Sequence, residues 1–150
     1  MSTVLTSNRR AKTNRQVKEL KDIIELRTHD TTKRLSFATR YLVQVHFTFD
    51  LTVLSDKFGG TSHFCVYKGD LETLCNELLK MQMTLSGTSI LNDNDSDGFV
   101  AFTISENGQL QVCGQVGGSH EDHFVKFEFR TDQTCIPQFV DDFKKLLEHD

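Results

Sequence analysis

The residues with the clearest potential for chemistry are the acidic run Asp93-Asn94-Asp95-Ser96-Asp97-Gly98. Carboxylates at alternate positions before a glycine are typical of the first half of an EF-hand calcium loop. Such a loop needs a bidentate Glu near its twelfth position, where this chain has Ile104, and a strand pattern follows instead of a helix. The run therefore fits a solvated acidic turn better than a calcium site, although calcium stays an alternative.

A second cluster, His120-Glu121-Asp122-His123, places two histidines three residues apart. On a helix this spacing can hold a metal, but the flanking residues are typical of a turn and a strand entry, which would separate the two rings. The chain also lacks a phosphate-binding glycine loop and a local nucleophile motif. The sequence therefore predicts no cofactor, no metal site and no enzymatic activity, while an enzyme site built from distant residues stays open.

Charge is unevenly distributed along the chain. Residues 1–40 carry a balance of +6 and residues 41–150 a balance of -10, for a net charge of -4. An acidic body repels nucleic acid and attracts cationic partners. The simpler alternative is that the negative charge only keeps the protein soluble. We expect residues 1–22 to form a mobile basic leader, with a phosphate-holding arm as the less favoured reading, and residues 23–150 to form one domain.

Length and cysteine usage suit one intracellular domain. The chain has 150 residues, no long apolar run and no signal-like start, which predicts a cytoplasmic protein without a membrane partner. None of the four cysteines forms a C-x-x-C pair, and each has apolar neighbours. We expect all four to be reduced core residues.

The hydrophobic pattern alternates between strands and helices in an α+β order. The helix from about residue 70 to before Gly87 is expected to be capped by Asp70 or Gly69, and the last helix by Thr134 or Cys135. These elements predict one mainly antiparallel sheet of about six strands, in the order β-β-β-α-β-β-β-α, with two helices packed on one face. The predicted strands and the last helix are Ile23–Thr28, Arg40–Leu54, Thr61–Tyr67, Phe99–Ser105, Leu110–Gln115, His123–Arg130 and Thr134–Glu148.

The turns between these elements are predicted from their glycines. Asp56–Gly60 is expected to join the second and third strands, and Glu106-Asn107-Gly108 to form a tight hairpin turn. In the long strand, the odd-numbered residues from Tyr41 to Val53 are predicted to share one face of the sheet.

The carboxy-terminal phrase Phe127–Thr134, with sequence FEFRTDQT, precedes a closing helix whose apolar side holds Phe139 and Phe143. This ending resembles that of small bacterial proteins grouped with the immunity partners of wall-associated and other polymorphic toxins. The opening strand around Glu25, the long second strand, the Phe58-Gly59-Gly60 turn and Gly114 also fit that pattern, so the resemblance covers about residues 23–147. It implies a protein-binding role and brings no catalytic residues with it.

On this basis we expect a non-enzymatic protein that neutralises a cognate protein toxin through an acidic surface, to which a basic toxin would be suited. The alternative is a small-ligand-binding or regulatory domain, which would need a polar-lined cavity between sheet and helices. The sequence leaves the oligomeric state open. The predicted partner-binding residues are Asp93, Asp95, Asp97, Glu121 and Asp122.

Overall fold

A computed structural model describes residues 17–19, 22–118 and 123–148. Within these ranges the chain forms nine strand segments, two α-helices and one 3₁₀ turn. The elements are β1 (Val17–Glu19), β2 (Ile23–Leu26), β3 (Lys33–Val43), β4 (His46–Ser55), β5 (Phe58–Tyr67), α1 (Lys68–Thr84), β6 (Gly87–Asn92), β7 (Phe99–Ile104), β8 (Gln109–Gly117), β9 (Phe124–Asp132), the 3₁₀ turn (Gln133–Cys135) and α2 (Ile136–Glu148).

The strands form two antiparallel sheets. In the first sheet β1 and β2 lie end to end along one edge of β3, and β4 and β5 follow. The second sheet has the order β6-β7-β8-β9, so each sheet is four strands wide. The α+β class is confirmed, but the expectation of a single sheet of about six strands is wrong, because the chain divides its strands between two sheets.

The predicted strand Arg40–Leu54 is in fact two strands. A two-residue turn at Gln44 and Val45, with φ of 57° at Gln44, folds β4 back onto β3. Tyr41 pairs with Thr48, and Phe47 pairs with Leu42, which is buried. The side chains before the turn therefore do not continue the face that the alternation predicts.

The predicted mobile leader overlaps the start of the first sheet. Val17–Glu19 pairs with β3, with Val17 opposite Val43. Further along, the Asp22 N–H donates to Thr39 Oγ1 over 2.8 Å, and the Thr39 N–H donates to the Asp22 carbonyl over 2.8 Å. Residues 1–16 and 20–21 lie outside the described part of the chain.

The two sheets meet where the end of the β4–β5 hairpin reaches β9. Ser55 Oγ donates to the Glu128 carbonyl over 2.6 Å, and Lys33 Nζ donates to the Arg130 carbonyl over 2.7 Å. At Gly60 an added Cβ would lie 3.0 Å from Val125 Cγ2, so a glycine allows the close approach of β5 to β9. These contacts join both sheets into one body with a shared core.

The core is filled largely by phenylalanine rings. Phe143 of α2 lies edge-on to Phe37 of β3, with ring centroids 5.3 Å apart, and 5.0 Å from Phe139. Phe139 in turn lies 5.9 Å from Phe102 of the second sheet. The closing helix thus packs on the apolar faces of both sheets, as its stripe of buried side chains predicts.

The residues that precede and cap the two helices differ from the predicted N-caps. α1 begins at Lys68, directly after β5, and the Lys68 N–H donates to the Val45 carbonyl over 2.7 Å. Neither Asp70 nor Gly69 is therefore the cap, since both lie in the first turn. Before the second helix, the Asp132 side chain caps the 3₁₀ turn by accepting a hydrogen bond from the Thr134 N–H over 2.9 Å. Asp132 therefore takes the capping role that we expected of Thr134 or Cys135.

Neither helix within the described ranges combines the length and apolar character that a membrane crossing requires.

Candidate interaction surface

The acidic loop 93–98 connects β6 to β7 and is organised by Asp93. This side chain is only 7% exposed, and its Oδ1 accepts from the Cys65 and Asp95 N–H groups, each over 2.9 Å. Its Oδ2 accepts from Ser96 Oγ over 2.5 Å. Asp93 therefore fastens the loop to the edge strand β5 and has its oxygens directed at donors within the chain.

The other two carboxylates of the loop, Asp95 and Asp97, are exposed. Asp95 lies beside Cys65 on β5: burial raises the pKa of the Cys65 thiol, and the negative charges of Asp95 and Asp93 raise it further. Two of the predicted partner-binding residues thus face solvent at the margin of the first sheet. Glu121 and Asp122 lie outside the described residues.

The structure also bears on the metal alternatives. Within the described ranges, no three His, Cys, Asp or Glu side chains are grouped as ligands of one ion would be. Of the second cluster only His123 is described, at the entrance to β9. The Asp93 oxygens accept hydrogen bonds from N–H and O–H groups, which is the geometry of a structural Asx turn.

The acidic loop borders the outer face, by which we mean the side of β3, β4 and β5 that points away from the core. Two tyrosines, a charged cluster and several threonines share this face, which lies opposite the buried phenylalanines. The described members of the outer face are Arg34, Ser36, Ala38, Arg40, Tyr41, Val43, His46, Thr48, Asp50, Thr52, Leu54, Gly59, Thr61, His63, Cys65 and Tyr67.

Arg40 lies near the centre of the outer face at a bulge of β3, where the pairing register shifts between Thr39 and Tyr41. Its Nη1 lies 2.8 Å from His63 Nε2 and 3.5 Å from Asp50 Oδ1. Because a guanidinium only donates, His63 Nε2 is the acceptor of this hydrogen bond. The guanidinium also lies 5.4 Å from the Tyr41 ring centroid. Arg40 is therefore held in place on three sides while 38% of its side chain stays exposed.

These residue types suit a protein partner. Arginine and tyrosine are enriched among the residues that dominate binding energy in protein interfaces. Tyr67, whose ring centroid lies 5.8 Å from that of His46, adds an exposed aromatic ring to the same face. The outer face together with Asp95 and Asp97 forms a mixed polar and aromatic surface with an acidic rim.

Depressions elsewhere on the molecule are surface grooves. One of about 500 Å³ is lined by polar side chains at the β7–β8 turn, including Glu106 and Arg130. Another of about 330 Å³ lies between α1 and α2 and includes Cys75 and Lys144. The space between the sheets and the helices is filled by apolar side chains.

The cysteines divide into two pairs. Cys75 and Cys135 are buried as predicted, and burial raises the pKa of the Cys75 thiol to about 11 and of the Cys135 thiol to about 12. Cys65 and Cys113 are only half-buried on β5 and β8, so the expectation that all four lie in the core is wrong for these two. All four are free thiols.

A family model for WapI-like immunity proteins matches residues 19–149. The chain belongs to the WapI-like immunity protein family. The match covers strands β2 to β9, both helices, the acidic loop and the outer face, and it confirms the resemblance seen in the carboxy-terminal phrase. It begins at residue 19, so most of the basic leader precedes it. Neither a curated protein nor a solved structure matches this WapI-like chain.

The sequence did not single out the outer face of this family member. Arg40 begins the predicted long strand, and His63 lies within the predicted strand Thr61–Tyr67. Only the pairing of β3, β4 and β5 brings Arg40, Asp50 and His63 together. The bulge at Arg40 has no marker such as glycine in the sequence.

Proposed function

We propose that this protein is the immunity partner of a cognate protein toxin and neutralises it by binding, without an enzymatic step. The observation that carries this proposal is the family match over residues 19–149. The outer face and its acidic rim support it, because they present aromatic, arginine and carboxylate groups on a rigid sheet.

We further propose that the toxin is basic where it is bound, and that Asp95 and Asp97 attract it. Asp93 fixes the loop backbone, so the two exposed carboxylates are held in place before the partner arrives. A specific interface buries about 800 Å² on each partner, which is more than a six-residue loop supplies. The adjoining outer face extends the acidic rim toward that area.

The alternative of a small-ligand-binding domain has weaker support. That reading needs a polar-lined cavity between sheet and helices, and the described residues there are packed apolar side chains.

We expect the cognate toxin to be encoded in a neighbouring reading frame, and the test uses that protein. Co-expression should protect cells from that toxin, and the purified pair should form a complex. If neither protection nor a complex is found, the proposed function fails.

The role of the loop is tested with the double variant Asp95→Lys/Asp97→Lys. We expect association with the toxin to slow by about tenfold at low salt, and the difference from wild type to shrink at high salt. The matched control is Glu106→Lys/Asp141→Lys, which makes the same charge change at two other exposed positions. Equal slowing in both double variants would refute a local role for the loop without refuting neutralisation itself.

A further inference from the structure

The outermost strands of the two sheets differ in the hydrogen bonds that their backbones make. The carbonyls of β9 accept from Ser55 and Lys33, and the backbone of β5 at Cys65 bonds to Asp93 and Asn94. At the opposite edge of the first sheet, α2 packs beside β2. The helix α1 likewise packs against β6, on the buried side of that strand, where Ser89 Oγ donates to Glu77 Oε1 over 3.0 Å. β6 is the outermost strand of the second sheet, and no backbone hydrogen bond joins it to anything but β7 within the described residues.

The hydrogen bond at one end of β6 shows its phase, meaning which of its residues bond to β7 and which direct their backbone groups outward. The Asp93 N–H donates to the Gly98 carbonyl, which makes 93 and 98 a hydrogen-bonded pair in the β6–β7 register. Bonded and non-bonded pairs alternate in an antiparallel ladder, so Leu91 and Ser89 also bond to β7. The bond from the Ser105 N–H to the Gln109 carbonyl in the next ladder gives the same phase for β7.

This phase directs three backbone units of β6 away from the sheet, at Thr88, Ile90 and Asn92. The side chains at these positions are exposed, and that of Ile90 is 54% exposed. The free edge therefore offers three N–H groups and three carbonyls in a regular row.

β6 also lacks the features that protect free edges. Its sequence, GTSILN, contains no charged residue and no proline, and its pairing with β7 runs without a bulge. Natural edge strands are commonly blocked by lysine, proline, bulges or covering segments. An unblocked edge of this kind is suited to pairing with another strand.

We infer that β6 pairs with β6 of a second copy of this chain, in antiparallel register about a two-fold axis at Ile90. In that register Ile90 faces its own counterpart, and Thr88 faces Asn92 of the other copy. These are the positions whose backbone groups point outward, so both copies satisfy up to about six hydrogen bonds at once. The second sheets then form one continuous sheet across the dimer.

The side chains agree with this register. The two Ile90 side chains become cross-strand neighbours and cover each other, while Thr88 and Asn92 form a polar pair on either side. No charged residue of β6 meets its counterpart, so no like charges are brought together. We take a second copy as the occupant because β6 carries no charge and its three outward positions pair in register with themselves, so two copies meet without like-charge repulsion.

The interface is smaller than a standard one, and the expected dissociation constant is therefore weak, about 10 μM to 1 mM. Analytical ultracentrifugation of the full chain over about that concentration range should show a reversible monomer–dimer equilibrium. The backbone amides of Thr88, Ile90 and Asn92 should exchange with solvent more slowly as the concentration rises.

The test variant is Ile90→Lys, which places two like charges at the axis and should weaken the dimer by at least about tenfold. The matched control is Ile23→Lys, because Ile23 is 68% exposed on the other sheet and should leave the dimer unchanged. A second variant, Thr88→Pro, removes an outward N–H without breaking a bond to β7, and it should also weaken the dimer.

Three outcomes would overturn the inference. They are a chain that stays monomeric over the whole range, a dimer that Ile90→Lys and Thr88→Pro leave intact, and amides of β6 that become protected only when a different protein is added. The experiment needs no toxin, so it is independent of the proposed function.

Discussion

Removing the Asp93 carboxylate should destabilise the whole protein, although this residue belongs to a surface loop. Asp93→Ala leaves three donors without their acceptor: the N–H groups of Cys65 and Asp95 and the hydroxyl of Ser96. An unpaired buried donor costs about 1–3 kcal/mol. The Cys65 N–H is covered by the loop, whereas the donors of Asp95 and Ser96 lie nearer solvent and can recover part of their loss. The expected loss of unfolding free energy is about 3 kcal/mol.

Urea denaturation at neutral pH measures this loss directly. With a slope of about 2 kcal/mol per molar urea for a chain of this size, the midpoint should fall by about 1.5 M. Asp93→Asn keeps one oxygen for the two backbone donors and should cost about 1 kcal/mol. The control, Asp95→Ala, removes an exposed carboxylate and should stay within about 0.5 kcal/mol of wild type. If Asp93→Ala also stays within that margin, or if Asp95→Ala costs as much, Asp93 does not fasten the loop as described.

Two other predictions concern the core. Phe143→Ala removes a fully buried ring and should lower the free energy of unfolding in urea by about 3–5 kcal/mol. The control Phe58→Ala, at a ring that is 73% exposed, should lower it by less than about 0.5 kcal/mol. Similar losses in the two variants would contradict the packing. The raised thiol pKa values of Cys75 and Cys135 mean that the folded protein holds these protons more tightly than the unfolded chain. The unfolding free energy should therefore fall as pH rises from about 9 through about 11 and 12, and the fall should be shallower in Cys75→Ala/Cys135→Ala. Identical pH profiles for wild type and double variant would refute the burial of these thiols.

The elements that sequence reasoning predicted well are those with a local signal. The Asn107-Gly108 turn forms as expected, with φ of 79° at Gly108, because glycine accepts that conformation without strain. The closing helix was found from its apolar stripe, whose members Phe139 and Phe143 are fully buried. In each case a few neighbouring residues are enough to define the geometry.

The division of the long predicted strand into β3 and β4 had no such signal. The turn between β3 and β4 uses Gln44 and Val45, neither of which is a common turn residue, and alternating residues continue on both sides of it. Leu42 is the one residue that breaks the alternation, since it is apolar where a polar side chain was expected. A single exception of that kind does not reveal a chain reversal.

β6 was missed for a related reason. Ile90 and Leu91 are its only large apolar residues, and they are adjacent, so no period-two pattern appears. The distinct role of Asp93 was equally hidden. It is one of three similar acids in sequence, and only the position of β5 in the folded chain makes its carboxylate an internal acceptor.

The alternation along β4 separates scaffold positions from surface positions. Phe47, Phe49, Leu51 and Val53 are buried in the core, while the intervening Thr48, Asp50 and Thr52 face outward and support no ring contact of the interior. Substitutions at the second set should therefore change the chemistry of the surface while leaving the buried contacts in place. One strand thus lets every other residue vary without disturbing the scaffold.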